Sequence, residues 1–166
     1  MFSDICGAIT PLLIASGHSV SVAESSLGGL ITANLLSAAS ASSCFLGSSV
    51  IYTRESRHAS LDLDVIKLTG LKPLTEPVVA EFANAVRLKP DATWGIAKLG
   101  VAEPIGMPYG HASGTSVIGM SGPLNASISV ETFSKKRKEN MVRFTEAAIV
   151  LFNPTLTRSL EGPRRD

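Results

Sequence analysis

Two adjacent serines and two adjacent glycines lie together near the start of the chain, in the segment AESSLGG. The candidate site residues of this segment are Glu24, Ser25, Ser26, Gly28 and Gly29. A serine where a strand turns into a helix lies near free backbone N–H groups and the positive end of the helix dipole. Both favour a developing oxyanion or a bound phosphate. From spacing alone, a simple helix cap by Ser25 or Ser26 remains the competing interpretation.

A second candidate segment contains Tyr52 and, five residues later, Arg57. A tyrosine hydroxyl at the end of a strand can take part in a proton relay, and a guanidinium can hold an anion. The competing interpretation is an edge tyrosine and a solvated arginine.

A third candidate segment is the loop between Gly100 and Gly114, which is rich in Gly and Pro. Its candidate ligand contacts are Gly100, Ala102, Glu103 and Gly106. Glycines allow the backbone to approach a ligand closely, although ordinary loop geometry explains them equally well. Further on, the basic run 135–138 contains Arg137, and a solvated first helical turn is a better account of this run than phosphate binding.

The elements that must position these residues alternate between strands and helices. The alternation of apolar residues predicts strands at 19–23, 47–53, 92–97, 115–120 and 127–132, with a hairpin turn between the last two. Helical patterns begin near residues 3, 30, 54, 76 and 135. Pro11 predicts a kink or a short first helix, and Asn153-Pro154 predicts the end of the last helix at Phe152.

This order of elements predicts a single α/β domain over residues 1–166. We expect a three-layer α/β/α sandwich with a mixed sheet, whose terminal hairpin supplies the antiparallel part. The core spans about residues 3–153, and residues 154–166 form a polar tail.

Composition narrows the class of protein further. Hydrophobic residues make up 45% of the chain and charged residues 17%, with a mean hydropathy of +0.26, which fits a sheet covered on both faces or a homo-oligomer interface. A formal net charge of +1 argues against a nucleic-acid or membrane partner.

Cys6 and Cys44 lack metal-ligand spacing, so we expect free thiols in a cytoplasmic protein with neither metal nor cofactor. No basic segment precedes the first apolar stretch, so we expect no secretory signal. No apolar run is long enough to span a membrane, so we expect no transmembrane helix.

Taken together, the motifs resemble the CinA (competence/damage-inducible) C-terminal domain family. That family carries A-E-S-C-T-G-G, then F-L-G-G-x-x-x-Y-S-N-E-x-K, T-G-x-A-G-P-x-G and F-S-G-D-R. The chain matches these motifs in order, through the segments 23–29, 45–57, 100–106 and 133–137. The resemblance covers about residues 3–153.

The resemblance implies an amidohydrolase of nicotinamide mononucleotide, which releases nicotinic acid mononucleotide and ammonia. It implies that Ser25 is the nucleophile, Tyr52 a proton-relay or oxyanion group, and Arg57 a holder of the substrate anion. The expected ligand is a small-molecule nucleotide.

Several positions depart from the family pattern. Arg57 replaces the lysine that serves as the family's base, and arginine is not a general base near neutral pH. Leu99 replaces a motif threonine, and Glu103 replaces a glycine. A divergent branch of the family carries arginine at the position of Arg57. We therefore expect weak deamidation, and the alternative is a catalytically degenerate nucleotide-binding or scaffold protein.

Overall fold

A mixed five-stranded sheet forms the centre of the molecule. The computed structural model describes residues 3–63, 65–104 and 110–162. Within these ranges the strands are β1 (Val20–Glu24), β2 (Phe45–Val50), β3 (Trp94–Val101), β4 (Thr115–Ser121) and β5 (Ala126–Glu131). Their order in the sheet is β2-β1-β3-β4-β5. Strand β1 is parallel to its neighbours β2 and β3, and β4 is antiparallel to its neighbours β3 and β5. The predicted mixed sheet with an antiparallel terminal hairpin is confirmed.

Helices cover both faces of this sheet. They are α1 (Ser3–Ser16), α2 (Leu30–Leu36), α3 (Arg54–Ser60), α4 (Glu76–Leu88) and α5 (Arg137–Glu161). Helices α1, α2 and α5 contact one another on one face, and α4 packs against β1, β3 and β4 on the other. The architecture is therefore the α/β/α sandwich expected from the sequence.

Two prolines lie inside helices, where the sequence predicted a kink or a short helix at Pro11 and the end of a helix at Pro154. α1 continues past Pro11 to Ser16, and α5 continues past Pro154 to Glu161. Each proline is exposed, and the carbonyls left without a helical donor belong to the exposed residues Gly7 and Val150, so solvent can satisfy them. The predicted end of α5 at Phe152 is thus wrong. Buried side chains beyond that point, Thr155 and Leu156, keep the helix on the core.

The two faces of β3 and β4 differ in the size of their side chains. Towards α4 these strands present small residues, among them Gly95 and Gly119, and α4 packs closely upon them. A Cβ added to Gly95 would lie 2.0 Å from the Ala83 carbonyl oxygen of α4. Towards α5 the same strands present large residues such as Trp94 and Met120.

β3 is longer than the sequence predicted, and this difference changes the site. The alternation was expected to end at Ala97, but the strand continues to Val101. Lys98, Leu99 and Gly100 are therefore strand residues held in the sheet, and not part of a loop. β2 ends at Val50, so Tyr52 lies just beyond the strand.

Candidate functional site

The motif-bearing segments meet at one edge of the sheet. β1, β2 and β3 are parallel, so the residues that follow their carboxyl ends share this edge. Glu24 is paired in register with Val50 of β2 and with Lys98 of β3. The Ser26 hydroxyl donates a hydrogen bond to the Gly100 carbonyl oxygen, at 3.2 Å. The serine turn, the end of β2 and the end of β3 thus come together, while Gly106 lies outside the described residues.

Lys98 lies at the centre of this edge, and the sequence analysis did not identify it as a site residue. It is fully buried on the α5 face of β3, with Nζ 4.5 Å from the centroid of the Phe144 ring. The same Nζ lies 2.6 Å from the Ser26 Oγ. Lys98 is the only lysine among the buried residues that the structure describes.

The surroundings of Lys98 favour its neutral form. Burial removes the ammonium from water and lowers the pKa of Lys98 from its ordinary 10.5 to about 7. The negative charge of Glu24 opposes this shift, and the positive charge of Arg137 adds to it. A large fraction of Lys98 is therefore an uncharged amine at neutral pH, a form that can accept a proton.

Glu24 is also fully buried, and its carboxylate is held by the start of α2. It accepts hydrogen bonds from the backbone N–H groups of Ile31 and Thr32, at 3.0 and 2.8 Å, and from the Thr32 hydroxyl at 2.6 Å. The carboxylate of Glu24 therefore lies at the positive end of the α2 dipole, and it ties this helix to the end of β1.

The two serines of the turn have different surroundings. Ser26 contacts both Lys98 and the Gly100 carbonyl. Ser25 donates its backbone N–H to the Lys98 carbonyl oxygen at 3.1 Å, but its buried Oγ has no hydrogen-bond partner among the described residues. Neither serine caps α2 with its side chain, because the capping position belongs to Gly29.

The glycines of the site serve the backbone. Gly28 and Gly29 have φ values of 65° and 100°, which residues with a side chain rarely adopt, and they turn the chain from the serines into α2. A Cβ at Gly100 would lie 2.6 Å from the Thr115 carbonyl oxygen, so Gly100 permits the close approach of β4. The three positions set the geometry of the edge.

A more exposed group of side chains surrounds the buried pair. Arg137 forms an ion pair with Glu103, and its guanidinium lies 5.8 Å from the centroid of the Tyr52 ring. Tyr52 is 54% exposed. The carbonyl of Ala102 accepts a hydrogen bond from the side chain of Asn140, which anchors the end of β3 to α5. We call Tyr52, Glu103 and Arg137 the rim.

Arg57 makes its contacts on the other side of the sheet. Its Nε donates to the Ile51 carbonyl oxygen at 3.4 Å, and its guanidinium lies 5.7 Å from the centroid of the Phe82 ring of α4. Arg57 and Phe82 line a cavity of about 500 Å³ and a neighbouring one of about 170 Å³, and Leu99 lines the smaller of the two. Leu99 itself is buried in the apolar cluster beneath α4. The hydrogen bond and the ring contact of Arg57 thus lie away from the serine turn and Lys98.

One signal in the sequence points to Lys98. It is the only charged residue in the segment WGIAKLGV, whose other residues are apolar or glycine. A lysine in such a strand must either reach solvent or be buried with a partner. The predicted strand ends at Ala97 and the predicted loop begins at Gly100, so Lys98 belongs to neither element of the prediction.

Other kinds of site find little support in the described residues. Across residues 3–63, 65–104 and 110–162, no group of three or more His, Cys, Asp and Glu side chains is arranged to hold a metal ion. Cys6 and Cys44 are buried free thiols, and burial raises the pKa of each. In the same ranges, none of the helices combines the length and apolar character required to cross a membrane.

The fold and this edge define a class: a three-layer α/β domain with a buried serine–lysine contact at the carboxyl ends of its parallel strands. The model of the CinA C-terminal domain matches residues 3–156, and the chain belongs to this family. The resemblance inferred from the motifs is thereby confirmed.

Curated relatives support the same family. A CinA-like protein of Parasynechococcus marenigrum is 30% identical over 139 residues, covering 84% of this chain and 33% of that protein. A CinA-like protein of Chlorobaculum tepidum is 29% identical over 146 residues, covering 85% of this chain and 34% of that protein. The chain therefore spans about a third of the length of these relatives.

Solved structures share the fold. A competence-damaged protein (CinA) superfamily protein of Klebsiella pneumoniae superimposes with a TM-score of 0.83 at 20% identity, covering 94% of this chain and 98% of that one. The corresponding superfamily protein of Escherichia coli gives a TM-score of 0.82 at 22% identity, covering 93% and 90%. At this level of identity the likeness concerns the fold.

Proposed function

We propose that this domain hydrolyses the carboxamide of a nicotinamide nucleotide, with nicotinamide mononucleotide as the substrate, to the carboxylate and ammonia. The nucleophile is a serine of the turn after β1, a role that the family resemblance gives to Ser25. The proposal concerns a domain that corresponds to a third of its curated relatives, and it applies to this domain alone.

The observation that carries the proposal is the hydroxyl of Ser25, which is buried and has no hydrogen-bond partner among the described residues. Buried polar groups in native proteins are nearly always hydrogen-bonded, because an unpartnered group carries the full cost of its desolvation. A hydroxyl without a partner at the edge where three motif-bearing segments meet is therefore available to a substrate. The buried amine of Lys98 close by supports chemistry in addition to binding.

The rim supports a charged substrate. Arg137 is partly exposed beside Tyr52, and its guanidinium suits the phosphate of a mononucleotide. In this proposal Tyr52 remains the proton-relay or oxyanion group, and Arg137 takes the anion-holding role that the resemblance implied for Arg57, whose contacts lie on the α4 side of the sheet. Glu103 then acts by orienting Arg137, since it is already paired with it.

The test is the release of ammonia from nicotinamide mononucleotide by the purified chain. A double variant, Ser25→Ala with Ser26→Ala, removes both hydroxyls of the turn and serves as the control. We expect turnover that the double variant loses. Turnover that survives in the double variant would show that the serines are not the nucleophile.

A second candidate is nucleotide binding without hydrolysis. It is favoured by Leu99, which is buried in an apolar cluster where the family pattern has a hydroxyl, and by Arg57, whose guanidinium contacts Phe82. A ligand that binds only the folded state raises the melting temperature by mass action. A rise with nicotinamide mononucleotide, but no ammonia, would select this candidate. If nicotinamide mononucleotide produces no thermal shift and no heat of binding, that result counts against both candidates.

A further inference from the structure

The contact between Lys98 and Ser26 assigns catalytic roles that differ from those implied by the family motif. We infer that Lys98 is the general base of this domain and that Ser26, not Ser25, is the hydroxyl it activates. The inference rests on the proposed amide hydrolysis and names the nucleophile and base for it. The contact that carries it is the 2.6 Å separation of Lys98 Nζ and Ser26 Oγ.

The remaining contacts of Lys98 do not suit a purely structural ammonium. A buried charge held for stability is normally paired and fully hydrogen-bonded. The carboxylate of Glu24 is bound by three donors of α2. The described residues show no ion pair, within the 4.0 Å limit, between Glu24 and Lys98. Apart from Ser26, the described neighbour of Nζ is the face of the Phe144 ring. A neutral amine needs fewer partners, and it can accept the serine proton.

The contacts of Ser26 suit a nucleophile. Its hydroxyl proton has two acceptors, the Gly100 carbonyl and the neutral amine of Lys98, so a rotation about one bond moves it between them. Within the described part of the chain Ser25 Oγ has no hydrogen-bond partner, which leaves it to donate a hydrogen bond to the substrate. Nucleophile and base within hydrogen-bond distance are the geometric signature of an activated serine.

The reaction balances with these groups alone. Ser26 Oγ attacks the carboxamide carbon while its proton passes to Lys98 Nζ, and the resulting ammonium then protonates the departing nitrogen. The C–N bond breaks, ammonia leaves and an ester of Ser26 remains. Water attacks this ester and gives a proton to Lys98, which returns it to Ser26 Oγ as the C–O bond breaks. The products are the carboxylic acid, which ionises, and ammonia.

The acid limb of the pH profile depends on the groups that face Lys98. These are Glu24 from β1, Arg137 and the Phe144 ring from α5, and Ser26 from the turn. The base must be neutral to act, so activity rises as Lys98 loses its proton.

The test compares single variants of the two serines and of the lysine. A positioned general base typically contributes about 10²–10⁴-fold, so Ser26→Ala, Lys98→Met and Lys98→Arg should each lose at least about 10²-fold in kcat for ammonia release. Ser25→Ala should lose less than Ser26→Ala, because it removes a substrate contact only. Ser21→Ala, in β1, and the exposed Lys89→Met are matched controls that should retain activity. Circular dichroism shows whether each variant is folded.

A second readout does not depend on the proposed substrate. p-Nitrophenyl acetate should leave an acetyl ester on Ser26 that hydroxylamine removes, and mass spectrometry locates it. The ester should persist in Ser25→Ala, be absent from Ser26→Ala, and form far more slowly in Lys98→Met.

The outcomes separate this inference from the proposed function. An ester on Ser26 that depends on Lys98, without ammonia from nicotinamide mononucleotide, supports the inference and counts against the proposed substrate. Loss of ester and turnover in Ser25→Ala, with both retained in Ser26→Ala, overturns the inference and leaves the proposed function intact. Absence of both ester and turnover in the unmodified chain overturns the inference as well.

Discussion

The two faces of β3 treat neighbouring residues in opposite ways. On the face beneath α4, Leu99 lies in an apolar cluster, and Gly95 lets the helix approach closely. On the face beneath α5, Lys98 is equally buried, but it lies beside a serine hydroxyl and near a carboxylate. The α4 face therefore depends on close packing, and the α5 face combines packing with a buried polar cluster.

This difference shows where the domain can perform chemistry. Buried polar groups lower stability unless they are satisfied, so a protein retains them where they serve a purpose. The two basic residues considered as catalytic groups, Arg57 and Lys98, make their contacts on opposite faces. The family motif implies a functional role for Arg57, whereas the buried polar cluster indicates one for Lys98.

The largest effect on stability is expected from Glu24→Ala, on the α5 face. The change leaves two N–H groups of α2 without their acceptor and removes the negative charge that favours the Lys98 ammonium. A buried donor that loses its acceptor costs about 1–3 kcal/mol, and more where the lost partner is charged, and here two donors are affected. Urea unfolding measures the loss, and the exposed Glu146→Ala in α5 is the control. A loss no greater than that of the control would mean that the buried carboxylate contributes little.

The second prediction concerns pH and Lys98→Met. Burial gives Lys98 a folded-state pKa of about 7 against an ordinary 10.5, so between these values the unfolded chain binds more protons than the folded one. The free energy of unfolding contributed by this residue therefore rises with pH across the window, by on the order of 1.4 kcal/mol per pH unit. Methionine does not titrate, so the free energy of unfolding of Lys98→Met, relative to that of the unmodified chain, should be greatest near pH 7 and should decline towards pH 10. Urea unfolding at a series of pH values measures this difference. A difference independent of pH would contradict the lowered pKa.

A third prediction tests the close packing of the α4 face. In Gly95→Ala the new methyl group meets the Ala83 carbonyl and the Arg87 side chain, and α4 must move. Overpacking of this kind costs about 1–3 kcal/mol. Gly7→Ala in α1 is the matched control, because it meets nothing within 4 Å and lies in a helix, where alanine stabilises by about 0.5–1 kcal/mol relative to glycine. The melting temperature should fall in Gly95→Ala and rise in Gly7→Ala, relative to that of the unmodified chain.

The smallest effect is expected at the rim. Glu103→Gln removes the ion pair with Arg137. The side chains of both residues are more than a third exposed. Exposed pairs of this kind contribute about 0–1 kcal/mol, and salt weakens them further. Denaturant unfolding at low and high salt should therefore show a small loss that shrinks with salt. A loss comparable to that of Glu24→Ala would show that the rim belongs to the folded core.

Much of the fold could be predicted from the sequence because local patterns determine it. Short runs of strand-forming residues between turn signals located the five strands of the described residues, and the apolar stripe after Pro77 located α4. The errors occur where tertiary packing outweighs a local signal. Pro154 does not end α5, because the next turn buries Leu156 on the core and the carbonyl that loses its partner belongs to an exposed residue, Val150.

For the site, the sequence by itself determined the family and the segments that meet, since the order of the motifs and their place at strand ends are properties of the chain. Tertiary structure decided which side chains touch. Whether Lys98 faces α5 or solvent depends on the register of β3 between β1 and β4, and that register places it opposite Glu24. Its altered pKa follows from the same placement, because desolvation and the field of neighbouring charges exist only when distant segments of the chain are brought together.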